Sequence, residues 1–134
     1  MMQPKSEKNM AAFVSQRRPR QIDVKYRRWL TQRQCLICAF SPCDPCHIKF
    51  ADARIFKPLS SNIGMKASDR FCVSLCHAHH EQSHSMGEHR FWDKWHLDPI
   101  VIALELYYYF LCGDDEAADH MIRLISASRL GIAV

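Results

Sequence analysis

Cys35-Leu-Ile-Cys38 is a C-x-x-C pair and Cys76-His-Ala-His79 is a C-x-x-H pair, with 37 residues between Cys38 and Cys76. Zinc prefers four tetrahedral nitrogen and sulfur ligands, and two such knuckles from separate segments can supply them. Six of the seven cysteines and five of the eight histidines fall between Cys35 and His84, a concentration that reads as metal binding rather than as scattered buried thiols. Cys43 could replace one ligand, so the fourth member is less fixed than Cys35, Cys38 and Cys76. In a small domain the energy of such a site is also folding energy, because the unfolded chain has no preformed site.

A second constellation follows at once. His80 and His84 are i, i+4 and share one face of any helix that carries them. His79 is rotated from His80 by about 100°, so one helix can give His79 to a zinc behind it and His80 with His84 to a metal in front. The third element is His47, in Cys43-Asp-Pro-Cys-His47-Ile. Hydrolysis of a phosphodiester needs a base for water, a cation for developing charge and stabilisation of the leaving oxygen. His47 can be the base, and a cation on His80 and His84 can serve the other two needs.

The elements that must position these groups are short. Asp23 opens a helix with Val24, Tyr26, Trp29 and Leu30 as packing residues. Residues 46–50 and 71–75 are β candidates, and 51–70 read as loop. A helix runs from His77 to a stop at Gly87, and Glu88 to His96 forms another with Phe91, Trp92 and Trp95 inward. Asp98-Pro99 is a cap followed by proline at the first helical position, starting a helix that ends before Gly113. Asp114 opens a last amphipathic helix striped by Ala118, Met121, Ile122, Ile125 and Leu130. The expected architecture is α+β, a small zinc-containing hairpin-plus-helix core buttressed by C-terminal helices.

Charge is divided unevenly. Residues 1–33 hold nine Lys/Arg against two acidic residues, and residues 34–134 hold nine against twelve, giving +7 and −3 for the stated +4. A basic arm on an otherwise acidic chain implies an acidic polymer as partner, most simply nucleic acid. The divisions expected are a loose tail over 1–16, a basic DNA-binding arm over 17–33, and one domain over 34–134. No apolar run reaches the ~18–20 residues that span a bilayer and no secretory signal opens the chain, which places it in the cytoplasm, away from membranes.

CLIC, DPCHI, GMKASDRF and SLCHAHHEQSH together resemble the HNH, or ββα-metal, nuclease superfamily. More narrowly they are similar to small phage and prophage HNH proteins related to the recombination-enhancement nuclease of phage P1. The run MGEHRFWDKWHLDP extends the likeness, which covers roughly residues 17–112. The resemblance implies a DNA endonuclease; the knuckles supply Cys35, Cys38, Cys76 and His79 to a structural Zn²⁺, and since nothing resembles a base-reading helix, low sequence specificity is expected. His47 matches the general base, Asp69 falls near the central Asn, and His80 and His84 match ligands of a catalytic Mg²⁺, Mn²⁺, Ni²⁺ or Zn²⁺. The residue before the base is usually a His or Asp ligand; here it is Cys46, a softer donor, so either Cys46 ligates, Asp44 substitutes for it, or fewer protein groups hold the catalytic metal. Phosphate contacts are expected from Arg17, Arg18, Arg20, Lys25, Arg27, Arg28, Lys49, Lys66 and Arg70. The alternative is a non-catalytic zinc module that binds DNA in recombination or packaging. Oligomeric state is not legible in the residues.

Overall fold

The computed structural model of the chain describes residues 22–50 and 68–129. The tail over 1–16, Arg17, Arg18, Arg20, most of the expected loop with Lys66, and Leu130 lie outside the described residues. The elements are helix α1 (Val24–Thr31), strand β1 (Asp44–His47), a 3-10 turn (Asp69–Phe71), strand β2 (Cys72–Leu75), and helices α2 (His77–Met86), α3 (Glu88–Trp95), α4 (Pro99–Cys112) and α5 (Asp115–Arg129). This is the α+β arrangement the sequence implies: a small antiparallel sheet among helices.

The strands pair antiparallel with Asp44 opposite Leu75 and His47 opposite Cys72. β1 starts two residues earlier than the apolar run suggests and stops at His47. The backbone N–H of Ile48 still donates to Phe71 O at 2.8 Å, but those of Lys49 and Phe50 turn to the Glu88 carboxylate at 3.0–3.1 Å. Glu88 thus takes the donors that would have prolonged the ladder and pins the exit of β1 to the start of α3. All four residues of β2 are buried, as expected of a strand covered on both faces.

Only the intervening residue Cys76 separates β2 from α2, and it is the N-cap of that helix, so one sharp corner carries the hairpin into the histidine-bearing helix. Gly87, at φ +90°, ends α2 by donating to Ser83 O at 3.1 Å and accepts from Phe91 N at 3.0 Å. That backbone conformation suits glycine. Asp98 caps α4 through Ile100 N and Val101 N, and Asp114 caps α5 through Ala117 N.

Helix α1 is no free arm. Tyr26, Trp29 and Leu30, at i, i+3 and i+4, are buried in the same core as the hairpin. The Tyr26 ring meets Tyr107 edge-on at 4.8 Å, and Trp29 meets Phe110 at 5.5 Å, both partners on α4. Trp29 Nε1 donates to Asp115 Oδ1 at 2.8 Å. Arg33 lies over the Trp29 ring with its Nη1 3.1 Å from Asp119 Oδ1. The C-terminal helices therefore hold the N-terminal helix, and α1 in turn holds the strands: Tyr26 Oη donates to Cys72 O at 2.9 Å. Removing residues 1–33 would take out part of the core, and not merely charge. Among the described residues, no helix is long and apolar enough to cross a membrane.

Candidate metal and catalytic sites

The first knuckle is a tight turn between α1 and β1. Ala39 N donates to Cys35 O at 2.9 Å and Ile37 N points at Cys35 Sγ at 3.4 Å; an N–H aimed at sulfur favours the thiolate that a metal requires. The second knuckle straddles the corner between β2 and α2. Folding brings Cys35, Cys38, Cys76 and His79 together with their ligand atoms all within 4.8 Å of one another. Cys38 Sγ is 3.7 Å from Cys76 Sγ, and His79 Nδ1 is 3.7 Å from Cys35 Sγ and 3.2 Å from Cys76 Sγ. Ligands on a tetrahedral zinc, at about 2.3 Å for sulfur and 2.0–2.1 Å for nitrogen, stand about 3.5–3.8 Å apart. The donor set and its spacing fit zinc.

Burial pushes the Cys35 thiol pKa up, a penalty on the bare thiolate that a bound dication reverses. Burial, with the Lys94 charge, lowers the His79 pKa, leaving the neutral imidazole a metal binds. Cys43 stands outside this set: its thiol donates to Phe40 O at 3.3 Å, and burial pushes its pKa up to about 12. Cys43 packs under the knuckle as a neutral thiol.

On the outer side of α2, His80 Nε2 and His84 Nε2 face each other at 3.1 Å. Two imidazole nitrogens on one cation, each about 2.1 Å from it, stand about 3.0 Å apart at a right angle and about 3.4 Å apart at the tetrahedral angle. Burial, then the neighbouring His80, hold the His84 pKa low, which keeps that lone pair available. The strand residue that meets this pair is Asp44, whose Oδ2 is 3.1 Å from His80 Nδ1 and 3.0 Å from His77 Nδ1. Those two imidazoles, His77 first, lower the Asp44 pKa below the usual carboxylate value. Cys46, weighed as a ligand, is buried with its sulfur 3.9 Å from Ser83 Oγ, and burial pushes its thiol up to about 12. Cys46 thus packs against Ser83, while Asp44 is the strand side chain within hydrogen-bond reach of His80.

His47 ends β1 with Nε2 2.8 Å from Asp69 Oδ1. Asp69 is fully buried, on the 3-10 turn that enters β2. An ionised carboxylate there must be compensated. Asp23 N donates to its Oδ2 at 2.7 Å, and Arg27 Nε stands 3.0 Å from the same oxygen. The Asp23 carboxylate is itself divided between the N-cap bond from Tyr26 N, at 2.9 Å, and the Tyr107 hydroxyl, also at 2.9 Å. The start of α1 is thus a bracket around the carboxylate that orients His47.

Cys72 lies close enough that His47, Asp69 and Cys72 could together hold an ion. The Arg27 cation already compensates Asp69, which disfavours a second cation and favours an imidazole–carboxylate pair. An ionised Asp69 fixes the His47 proton on Nε2 and assigns the accepting role to Nδ1. Asp69→Asn, which cannot hold that tautomer by charge, is expected to slow any reaction that uses His47 as base by about tenfold or more, with zinc content unchanged. Single-turnover rates beside zinc analysis check this; an undiminished rate would remove Asp69 from the machinery.

The expected phosphate contacts divide. Lys25, Arg28 and Lys49 are exposed. Arg27, expected among them, is committed to Asp69, and Arg33 to α5. Arg70 stacks its guanidinium 5.4 Å above the Phe71 ring. Asp23, Glu88 and Tyr107 are groups the residue pattern alone leaves without a part in the site. Glu88 sits within the MGEHRFW run, and Asp23 was visible as a helix start, but their partners are 38 to 84 residues away.

A protein-family model described as "Putative HNHc nuclease" matches residues 14–107. The match spans both knuckles, His47, Asp69, His80 and His84. No curated protein and no solved structure matches the chain.

Proposed function

The chain belongs to the HNH nuclease family, and from that premise we propose that it is a metal-dependent DNA endonuclease that hydrolyses the phosphodiester backbone with His47 as general base. The observation that carries the reading is the pairing of His80 Nε2 with His84 Nε2 at 3.1 Å on the helix that follows a strand pair whose first strand ends in His47. A cation on that pair is the part of the machinery the chain cannot supply from its own side chains; when bound it offsets charge on the phosphoryl and leaving oxygens.

The rest is done by residues in hand. His47 Nδ1 takes a proton from the water whose oxygen attacks phosphorus. Asp69, held by Asp23 N and Arg27, keeps the ring oriented and stabilises the imidazolium that forms. The bond from phosphorus to the leaving ester oxygen breaks as the new P–O bond forms. The structural site stands apart, with Cys35, Cys38, Cys76 and His79 holding zinc between knuckle, hairpin and helix. Exposed Lys25, Arg28 and Lys49, with Arg17, Arg18, Arg20 and Lys66, supply phosphate contacts that carry no base information, hence low sequence specificity. Phage or prophage origin, with a place in recombination, is the finer reading that the motif likeness supports.

Adding Mg²⁺, Mn²⁺ or Ni²⁺ to zinc-loaded protein is expected to start cleavage of plasmid and linear DNA, and a chelator is expected to stop it. Gel assays over single-stranded, duplex and branched DNA check this. Tight DNA binding with no cleavage under any of these metals would replace this reading with the non-catalytic zinc module.

A further inference from the structure

Asp44 opens β1 and reaches His80 from the side of the ring opposite His84. Its Oδ2 is 3.1 Å from His80 Nδ1, while His80 Nε2 faces His84 Nε2, also at 3.1 Å. The same carboxylate oxygen is 3.0 Å from His77 Nδ1, and His77 Nε2 is 3.1 Å from Glu81 Oε1. Five side chains therefore form one line along the outer face of α2, Glu81 to His77 to Asp44 to His80 to His84, and its only member from the strand is Asp44. A histidine nitrogen that donates to a carboxylate carries the ring's proton, and the lone pair is then on the other nitrogen. For His80 the proton belongs on Nδ1 and the lone pair on Nε2, the atom facing His84. Carboxylates in this position behind a ligating imidazole set its tautomer, its rotation and its basicity.

We propose that Asp44 is the positioning residue of the His80–His84 metal site, acting through His80 Nδ1, and that His77, anchored by Glu81, clamps the carboxylate from the far side. The inference rests on the proposed placement of a divalent cation at His80 and His84. It gives Asp44 a task distinct from ligation, since its hydrogen-bonded oxygen lies at the nitrogen turned away from the shared point. It also accounts for an HNH-like site with cysteine before the base: the strand acts through a carboxylate three residues earlier, and Cys46 is left to pack against Ser83.

The test is calorimetric titration of Mn²⁺ into zinc-loaded, DNA-free protein, beside nitrogen NMR of the histidine rings. Wild-type protein is expected to bind one Mn²⁺ beyond its zinc, and His80→Ala to abolish that binding. Asp44→Ala is expected to weaken it about 10–100-fold, and Asp44→Asn, which keeps an acceptor but no charge, by less. The His80 ring should show the Nδ1–H tautomer in wild type and lose that preference in Asp44→Ala. His77→Ala should cost only a fewfold, and zinc content should hold throughout, because Asp44 and His77 are outside the zinc cluster.

Unchanged Mn²⁺ affinity and an unchanged ring tautomer in Asp44→Ala would overturn the proposal. Loss as complete as in His80→Ala, not recovered by Asp44→Asn, would make Asp44 a direct ligand and overturn it too. Wild-type protein that binds no Mn²⁺, or His80→Ala that binds it as wild type does, would instead sink the underlying placement of the cation, an outcome distinct from the two read on Asp44→Ala.

Discussion

Replacing His47 with alanine is expected to lower DNA cleavage by about 10²–10⁴-fold, the usual contribution of a positioned general base, or roughly 3–5 kcal/mol of barrier. The magnitude follows from what the substitution leaves in place. The cation site on α2 and the phosphate contacts do not involve His47, so binding and charge stabilisation survive while proton removal falls to solvent. The ring is mostly covered, 16% exposed at the end of a two-stranded ladder, so its loss costs some packing at the edge of the sheet. Asp69 keeps Asp23 N and Arg27 as partners, and its buried charge stays compensated. The variant should therefore melt somewhat below wild type, yet stay folded and retain zinc. Cleavage rates measured with saturating Mn²⁺, beside melting curves, check both halves. Cleavage that persists at the wild-type rate would place the base elsewhere or expose a contaminating nuclease.

The second large effect concerns the zinc. Cys76→Ser is expected to abolish the cooperative fold, whereas Cys112→Ser, at an exposed position on α4, should change neither melting nor solubility. Structural zinc sites contribute apparent binding energies of about 10–16 kcal/mol in small zinc-finger peptides, which equals or exceeds the ~5–15 kcal/mol by which whole domains are stable. Cys76 is the worst place to lose a ligand. It caps α2 directly after β2, so its sulfur is the point at which hairpin, helix and the Cys35–Cys38 turn are tied together. Metal analysis should find one tightly held zinc per wild-type chain and far less in the variant, with a broadened or missing thermal transition. A zinc-free Cys76→Ser protein melting at the wild-type temperature would show that the four residues are merely packed together.

These two effects differ in how far each could be read without coordinates. C-x-x-C and C-x-x-H declare themselves because knuckle ligands are local, two or three residues apart, and only the joining of the two knuckles is tertiary. The same holds for His80 and His84, since a helical repeat of 3.6 residues puts i and i+4 on one face whatever surrounds the helix. Helix starts at Asp23, Asp98 and Asp114 were legible for the same reason: a cap is a bond between a side chain and a backbone donor two or three residues ahead.

The basic segment shows the opposite case. Nine cations in residues 1–33 read as one electrostatic arm, because net charge is a sum and carries no direction. In the fold, Arg27 and Arg33 turn inward to Asp69 and Asp119, Tyr26, Trp29 and Leu30 enter the core, and the helix between them becomes a support for the base. β1 was misplaced by two residues because the apolar run continues past His47, while Glu88, 39 residues beyond Lys49, takes the Lys49 backbone donor.

What the sequence by itself determined are the features whose partners lie within a helical turn or a knuckle: the metal-binding residue types, the faces they share, the caps and the approximate helices. The tertiary structure alone decided which acid serves which histidine. Asp69 finds His47 across 22 residues and Asp44 finds His80 across 36, and the motifs that single out the two carboxylates do not name these partners. Their roles come from burial and from the register that sets His47 opposite Cys72 and Asp44 opposite Leu75. A hydrogen bond is made by atoms within about 3 Å of each other, and no local pattern encodes that proximity once the chain between the two residues must first fold.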